Sequence, residues 1–349
     1  MFDYCKAHEK QLIPLIQSVI NKSHSHAYIF AGPDGIGKYA VAMEFAKALT
    51  CLSADASSGH RPGGHRPGGQ CPGGRCPCGE CANCKLTDSG NNPDIFTLSL
   101  TQKTTAAKSI GVDDIRDFVS EVYVKPYSSG KKIYIIDDAQ TMTDQAQNAL
   151  LKILEEPPEY IVFILLTTSA AACLPTVRSR SETVRFSPVS ASDIKSFILQ
   201  MHPDISPAFA NVLTQYSQGV PGVAASLADD ADFEDLRKGC IKQLDNILSP
   251  NALKNFDAAD FFDTNKQNAQ TVLNIWVSLL NDILLISLNS RDKIVNTDIV
   301  GTLENMSYLA GQKQVFLILE QLLKVFDMLK RYVNPRSAIL SALFKANPD

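Results

Sequence analysis

The sequence lacks an excess of charge of either sign and any apolar run long enough to cross a membrane. It has 33 Lys and Arg against 37 Asp and Glu, which gives a formal net charge of −4 and no general attraction to nucleic acid. Apolar runs such as Ile161 to Leu166 fall well short of the about 20 residues that a membrane helix needs. The first residues lack the basic and apolar regions of a signal peptide. We therefore expect a cytoplasmic protein without membrane contact, whose DNA contacts are local or made through a partner.

Cysteine is scarce outside one segment, since five of the nine cysteines lie between Cys71 and Cys84. Such clustering is typical of a metal site rather than of a secreted disulfide protein. Cys78, Cys81 and Cys84 follow one another at two-residue gaps, a spacing that wraps a single tetrahedral ion. A set of four thiolates leaves no open coordination position, so we predict a structural Zn²⁺ ion rather than a catalytic one.

The fourth ligand of this site is left open by the spacing. Cys51 is favoured because it ends a predicted helix, whereas Cys71 and Cys76 belong to a Gly-rich stretch and are looser alternatives. His60 and His65 lie in the same stretch, within repeated Pro-Gly-Gly units that have little to bury. We interpret both histidines as solvated.

The chain also lacks the hydroxyl that completes a phosphate-binding loop. An apolar run, Ala27 to Ala31, precedes a Gly-rich turn and a helical pattern, which is the order that such a loop requires. Backbone N–H groups can close round phosphate oxygens at the glycines, and Lys38 can reach the β and γ oxygens. Position 39 should carry a Ser or Thr that binds Mg²⁺, and Tyr39 places its oxygen too far out. We predict a loop that binds ATP and Mg²⁺ weakly or not at all. Its residues are Gly32, Gly35, Gly37, Lys38 and Tyr39.

A second nucleotide-site motif follows another apolar run. Lys132 to Ile136 ends in Asp137 and Asp138, which are placed as a Walker-B pair: the first carboxylate acts on Mg²⁺ and the second polarises the attacking water. The second position is usually Glu in hydrolysing enzymes, and Asp138 is one methylene shorter. Like Tyr39, Asp138 in place of Glu predicts a site that does not hydrolyse nucleotide. The alternative is that two carboxylates merely end a strand.

Apolar runs alternate with helical patterns over the first half of the chain, and only helical patterns follow Ser187. The alternation predicts a parallel sheet with flanking helices, whose ligands lie at the carboxyl ends of the strands. The first helical pattern, over 6–22, predicts a buried stripe of Leu12, Ile13, Ile16 and Ile20. We predict three domains: a P-loop α/β domain over 1–187 with a zinc module at 51–84 and a mobile Pro/Gly-rich insertion at 52–77, a small helical domain over 188–248 and an all-α domain over 249–349.

Arg180 lies in the polar connection Ser179-Arg180-Ser181, ahead of a short strand predicted at 183–186. An arginine at such an edge is most often a solvated or helix-capping cation. The other interpretation is an arginine finger, a guanidinium that reaches a neighbouring subunit's nucleotide and neutralises charge on the γ-phosphoryl group. The local pattern alone does not favour the finger.

Taken together, these motifs resemble bacterial clamp-loader AAA+ subunits. The resemblance is carried by His26–Pro33, Ile133–Met142, Ala146–Pro158 and Leu174–Ser181, and continues weakly at Val333–Arg336. It implies an AAA+ domain, a helical lid and a helical collar for oligomerisation. It also implies that Arg180 is a finger offered in trans, with Ser181 where the family has Cys. The zinc ligands that it implies are Cys51, Cys78, Cys81 and Cys84.

Within this family, the ATP site separates motor subunits from stators. Motors of the gamma/tau type carry Lys-Thr or Lys-Ser in the P-loop and Asp-Glu in the Walker-B motif, whereas this chain has Tyr39 and Asp138, with Val223 where a sensor-2 arginine is expected. The combination resembles the delta-prime branch, a stator of the DNA polymerase III holoenzyme without ATPase activity of its own. The resemblance implies a hetero-pentamer with gamma/tau and delta subunits, which loads the sliding clamp onto primed DNA during replication. The alternatives are an ATP-hydrolysing gamma/tau-type motor and a nucleotide-independent zinc adaptor.

Overall fold

The structure, a computed structural model, divides into two compact units. It describes residues 7–53, 77–100, 109–249, 251–330 and 333–346 of the 349-residue chain. The first unit runs to Ser190 and includes Val220–Gly222, and the second comprises 191–219 and the residues from Val223 onward. Most of the insertion predicted at 52–77, with its two histidines and the alternative zinc ligands, lies outside the described residues. The three domain boundaries stay predictions.

The first unit is built on a five-stranded parallel sheet in the order β2-β3-β4-β1-β5. Its strands are β1 (Ala27–Ala31), β2 (Ile95–Leu98), β3 (Lys132–Ile136), β4 (Ile161–Thr167) and β5 (Glu182–Arg185). Every residue of β1, β3 and β4 is buried, as expected where helices cover both faces of a parallel sheet. The predicted parallel sheet with flanking helices is confirmed.

Helices flank this sheet. They are α1 (Glu9–Ile20), α2 (Lys38–Leu49), α3 (Ala82–Asp88), α4 (Val112–Phe118), α5 (Asp144–Glu155) and α6 (Pro175–Arg178). The stripe predicted for α1 is wrong, because Ile13 and Ile20 are 49% and 53% exposed. The helix instead buries Leu12, Leu15 and Val19, which recur at three- and four-residue steps and so share one face.

The described part of the chain after residue 190 contains helices and no strand, as predicted. They are α7 (Ala191–Met201), α8 (Pro207–Tyr216), α9 (Pro221–Asp229), α10 (Phe233–Leu248), α11 (Ala252–Thr264), α12 (Ala269–Ser287), α13 (Val300–Leu309), α14 (Gln312–Lys330) and α15 (Pro335–Ala346). The stretch Lys266–Ser287 is long and apolar enough to cross a membrane. Its most apolar 18 residues have a mean hydropathy of 1.5, and 56% of them are buried inside the protein. Within α12, Trp276 is fully buried and its Nε1 donates to the carbonyl oxygen of Cys240 at 3.1 Å. The burial of α12 is typical of a helix in the core of a folded domain.

One buried carboxylate organises the turn between α4 and β3. Asp94, just before β2, is 1% exposed and accepts hydrogen bonds from the backbone N–H groups of Tyr127, Ser128 and Ser129 at 2.6, 2.9 and 3.1 Å. The hydroxyls of both serines donate to it as well. Burial acts to raise the pKa of Asp94, but these hydrogen bonds outweigh burial and hold the pKa below its usual value.

We expect Asp94→Ala to lower the free energy of unfolding by about 3 kcal/mol at pH 7, because it leaves several buried donors without an acceptor. Since the pKa of Asp94 is lowered by folding, the stabilisation is present above about pH 4 and is lost as the pH falls through the folded pKa. Urea unfolding at neutral and acid pH measures both effects. Asp113→Ala removes an exposed carboxylate from α4 and should change stability by less than about 0.5 kcal/mol. Equal effects of the two substitutions would contradict this role of Asp94.

Candidate functional site

The predicted phosphate-binding loop joins β1 to the N-terminus of α2. Gly35 and Gly37 have φ angles of 74° and 107°, a left-handed conformation that glycine adopts without strain. Ile36, between them, is fully buried, and its carbonyl oxygen accepts a hydrogen bond from His8 Nε2 at 2.7 Å. Burial lowers the pKa of His8, which keeps the imidazole neutral. The residues before α1 thus help to hold the loop.

Lys38, at the start of α2, is 7% exposed and its ammonium group turns back into the loop. Its Nζ donates to the carbonyl oxygens of Gly32 at 2.6 Å and Pro33 at 2.9 Å. The same nitrogen lies 3.4 Å from Asp34 Oδ1. Because an ammonium has three N–H donors, all three are engaged in this conformation. Binding of a triphosphate would require these contacts to break.

Tyr39 is the second residue of α2 and is 43% exposed. A whole aromatic ring separates its oxygen from Cβ, so this oxygen cannot take the place of the Ser or Thr hydroxyl that ligates Mg²⁺ beside a phosphate. With Lys38 engaged by the loop as well, the residues present fit a Mg²⁺-bound nucleotide poorly.

Asp137 and Asp138 follow the last residue of β3, at the same sheet edge as the P-loop. Burial and the neighbouring charge of Asp138 raise the pKa of Asp137, while Lys38 acts in the opposite direction. Asp138 has a φ of 56°, and its Oδ1 accepts a hydrogen bond from Gln140 Nε2 at 3.2 Å. The fold therefore brings the predicted Walker-B carboxylates towards Lys38. Gln140 was not predicted to take part.

Cys51, Cys78, Cys81 and Cys84 converge, as predicted. Their sulfur atoms all lie within 4.8 Å of one another, and the Sγ atoms of Cys78 and Cys84 are 3.9 Å apart. Four thiolates at about 2.3 Å from a tetrahedral Zn²⁺ lie about 3.8 Å from each other. Backbone N–H groups of Cys81 and Cys84 donate to the sulfurs of Cys78 and Cys81, each at 3.4 Å. The donor set and its spacing fit zinc.

Contacts between α2 and α3 support this cysteine cluster. Asn83 is 1% exposed, and its Nδ2 donates to the carbonyl oxygen of Thr50, next to Cys51, at 3.0 Å. Lys47 Nζ, one turn earlier on α2, donates to Asp88 Oδ1 at 2.6 Å. Helix α2 ends two residues before Cys51, and α3 contains Cys84 and is preceded by Cys81. The two helices are therefore joined next to the cysteines independently of a metal.

Arg180 lies just after α6, at the rim of an open cleft of about 550 Å³. Its Nη2 donates to Glu155 Oε1 at 2.8 Å, and its Nη1 donates to the carbonyl oxygen of Thr176 at 3.0 Å. Nη1 also lies 3.3 Å from the hydroxyl oxygen of Ser179. The Arg180 side chain is 34% exposed. Glu155 had no predicted role, although it lies in the Ala146–Pro158 motif that carries the family resemblance.

Comparisons with known proteins identify related families. Two family models match, described as DNA polymerase III, delta subunit, over residues 7–190, and DNA polymerase III, delta subunit, C terminal, over residues 231–345. The DNA polymerase III subunit delta' of Bacillus subtilis is 29% identical over 327 residues, which cover 93% of this chain and 90% of that protein.

Further matches involve related subunits. The DNA polymerase III subunit tau of Bacillus subtilis is 37% identical over 180 residues, which cover 52% of this chain and 28% of that protein. Among solved structures, a DNA polymerase III gamma subunit-related protein of Thermotoga maritima is 18% identical, with 97% of this chain and 98% of that chain covered and a TM-score of 0.42.

The matched families and the parallel P-loop sheet together identify an AAA+ subunit of the clamp-loader class. More particularly, the chain belongs to the DNA polymerase III delta-subunit family. The resemblance to the delta-prime branch that its motifs predicted is confirmed. The roles of the individual site residues stay predictions.

Proposed function

We propose that this chain is the non-hydrolysing stator of a DNA polymerase III clamp loader. The observation that carries the proposal is Tyr39, which replaces the Mg²⁺-binding hydroxyl of an otherwise complete P-loop. The engagement of Lys38 by the loop's own oxygens supports it. Similarity to a subunit delta' over most of both chains supports it further.

In this proposal, Arg180 contacts ATP that is bound to a neighbouring subunit. A guanidinium is always charged and offers a planar fork that matches two phosphate oxygens. The cleft beside Arg180 is open and is lined by Leu154 and six polar residues, without a glycine loop that would hold a whole nucleotide on this chain. Such a surface suits a cation that completes a site built mainly by another subunit.

The partners proposed from the relatives are gamma/tau and delta subunits, with the sliding clamp and primed DNA reached through the assembled complex. The helices after residue 248 would supply the collar, and those of 188–248 the lid. The complex would act in the cytoplasm during replication. The cysteine cluster would bind a structural Zn²⁺ ion that links α2 to α3.

A motor of the gamma/tau type is the rival function. It is favoured by the 37% identity to subunit tau over 180 residues, which exceeds the 29% identity to subunit delta'. Lys38 and Asp137, two residues that a motor requires, are also present.

Steady-state ATP hydrolysis by the isolated chain separates the two functions. We expect turnover at the level of a protein-free control, with no change in Lys38→Ala, because Tyr39 replaces the Ser or Thr hydroxyl that ligates Mg²⁺. Lys10→Ala, at an exposed position of α1, is the matched control. Turnover well above background that Lys38→Ala abolishes and Lys10→Ala leaves intact would establish the motor and refute the stator.

A further inference from the structure

The ion pair between Arg180 and Glu155 joins two separate elements of the first unit. Glu155 is the last residue of α5, and Arg180 lies two residues after α6. The two groups are 2.8 Å apart, and the side chains of Arg180 and Glu155 are 34% and 52% exposed, respectively. A surface ion pair of this kind adds little stability to the fold. Its main effect is to fix the position of the Arg180 guanidinium.

Arg180 keeps free donors while it is held. The contacts to Glu155, Thr176 and Ser179 use at most three of the five N–H groups of the guanidinium among the described residues. One N–H on Nη2 and the N–H on Nε remain. A phosphoryl group can therefore bind Arg180 without displacing Glu155.

The elements that carry the pair are fixed to each other. Gln147 of α5 is 2% exposed, its Oε1 accepts a hydrogen bond from the N–H of Leu174 at 2.7 Å, and its Nε2 lies 3.4 Å from the carbonyl oxygen of Ala172. Leu174 is the residue immediately before α6. On α5, Leu154, next to Glu155, is buried in the core of the sheet. Glu155 thus presents its carboxylate from a rigid position relative to the Arg180 turn.

We propose that Glu155 is a positioning residue for Arg180, which orders the guanidinium before the neighbouring subunit's triphosphate arrives. This inference rests on the proposed finger role of Arg180. An arginine side chain loses considerable rotamer freedom when it is fixed, and a contact made within the subunit removes that loss from the reaction step. Without Glu155, only Nη1 is held, by the backbone and hydroxyl of the same turn.

The test is a double-mutant cycle in the reconstituted clamp loader, with ATP hydrolysis measured in the presence of primed DNA and clamp. We expect Glu155→Gln to lower kcat at the affected site by about fivefold, since a neutral amide replaces a charged acceptor. The KM for ATP should stay within about twofold, because the motor subunits bind the nucleotide. Glu156→Gln, at the adjacent exposed carboxylate, is the matched control and should leave kcat unchanged.

In the Arg180→Ala background, Glu155→Gln should cause no further loss, because its effect runs through the guanidinium. Glu155 does not position the finger if Glu155→Gln raises kcat or leaves it unchanged, or if it lowers kcat equally with and without Arg180. In any of these cases the proposed function still stands, provided that Arg180→Ala lowers kcat. If Arg180→Ala itself has no effect, the finger role and this inference both fail. Thermal melting of the free subunit, unchanged by Glu155→Gln, separates positioning from a folding defect.

Discussion

Arg180→Ala is expected to slow ATP hydrolysis at the neighbouring nucleotide site by about a thousandfold. An arginine finger contributes about 10³ to 10⁵ in kcat, because its charge is placed where negative charge develops on the transferred phosphoryl group. Other sites in the complex keep their own catalytic groups, so the total rate falls less. Single-turnover hydrolysis and clamp loading onto primed DNA, measured in the reconstituted complex, report the affected site.

Arg178→Ala is the matched control for this substitution. Arg178 ends α6, is exposed, and carries the same charge two residues from Arg180. The complex that contains Arg178→Ala should hydrolyse ATP and load clamps at the wild-type rate. This result would separate the effect of the finger from a general effect of surface charge on assembly. If Arg180→Ala assembles normally and its single-turnover rate equals that of Arg178→Ala, Arg180 is not a finger.

The sheet was predictable because each buried strand is a short apolar run between polar or glycine residues. For β1 and β3 the predicted and observed bounds coincide, since a strand buried on both faces leaves an uninterrupted apolar signal. The helices gave weaker signals. The seven residues of α3 are mostly polar and show no apolar period, so this helix was not predictable from the sequence. In α1, apolar residues occur on more than one face, and the sequence alone could not select the buried one.

The candidate site was predictable only where its residues lie in contiguous motifs. The P-loop, the Walker-B carboxylates and the Cys-x-x-Cys-x-x-Cys run each carry their spacing in a single short segment. Contacts between distant segments were not predictable: Asp94 binds the turn at 127–129, and Glu155 binds Arg180. Such pairs depend on which distant segments the fold brings together, and a single sequence does not contain that information.

The geometry also limits what the P-loop residues can be expected to do. Lys38 is present in the sequence and indicates phosphate binding. In the structure, however, its ammonium group donates hydrogen bonds to carbonyl oxygens of the loop. A lysine that satisfies the carbonyl oxygens of a tight turn has a structural role without any nucleotide. The presence of Lys38 is therefore compatible with both functions, whereas Tyr39 argues against the motor.

Loss of the predicted metal ligand Cys84 is expected to have the second large effect. We expect the reduced wild-type chain to hold about one equivalent of zinc and Cys84→Ser to hold none, because three thiolates leave the tetrahedral site incomplete. The free energy of unfolding should fall by about 4 kcal/mol, the linkage term for a ligand present at about a thousandfold its Kd. Metal analysis and thermal unfolding with and without a chelator measure the two effects.

Further cysteine substitutions test the ligand set itself. Cys173 is buried in the first unit and lies outside the cluster, so Cys173→Ala should keep the metal. Cys71→Ala and Cys76→Ala should also keep it, whereas Cys51→Ala should lose it, because Cys51 supplies the fourth sulfur in the observed cluster. Burial raises the pKa of the Cys84 thiol, so ionisation there depends on the bound cation and zinc uptake should release protons. Wild-type chain with well under one equivalent of zinc, or metal retained in Cys51→Ala and lost in Cys71→Ala, would overturn this assignment.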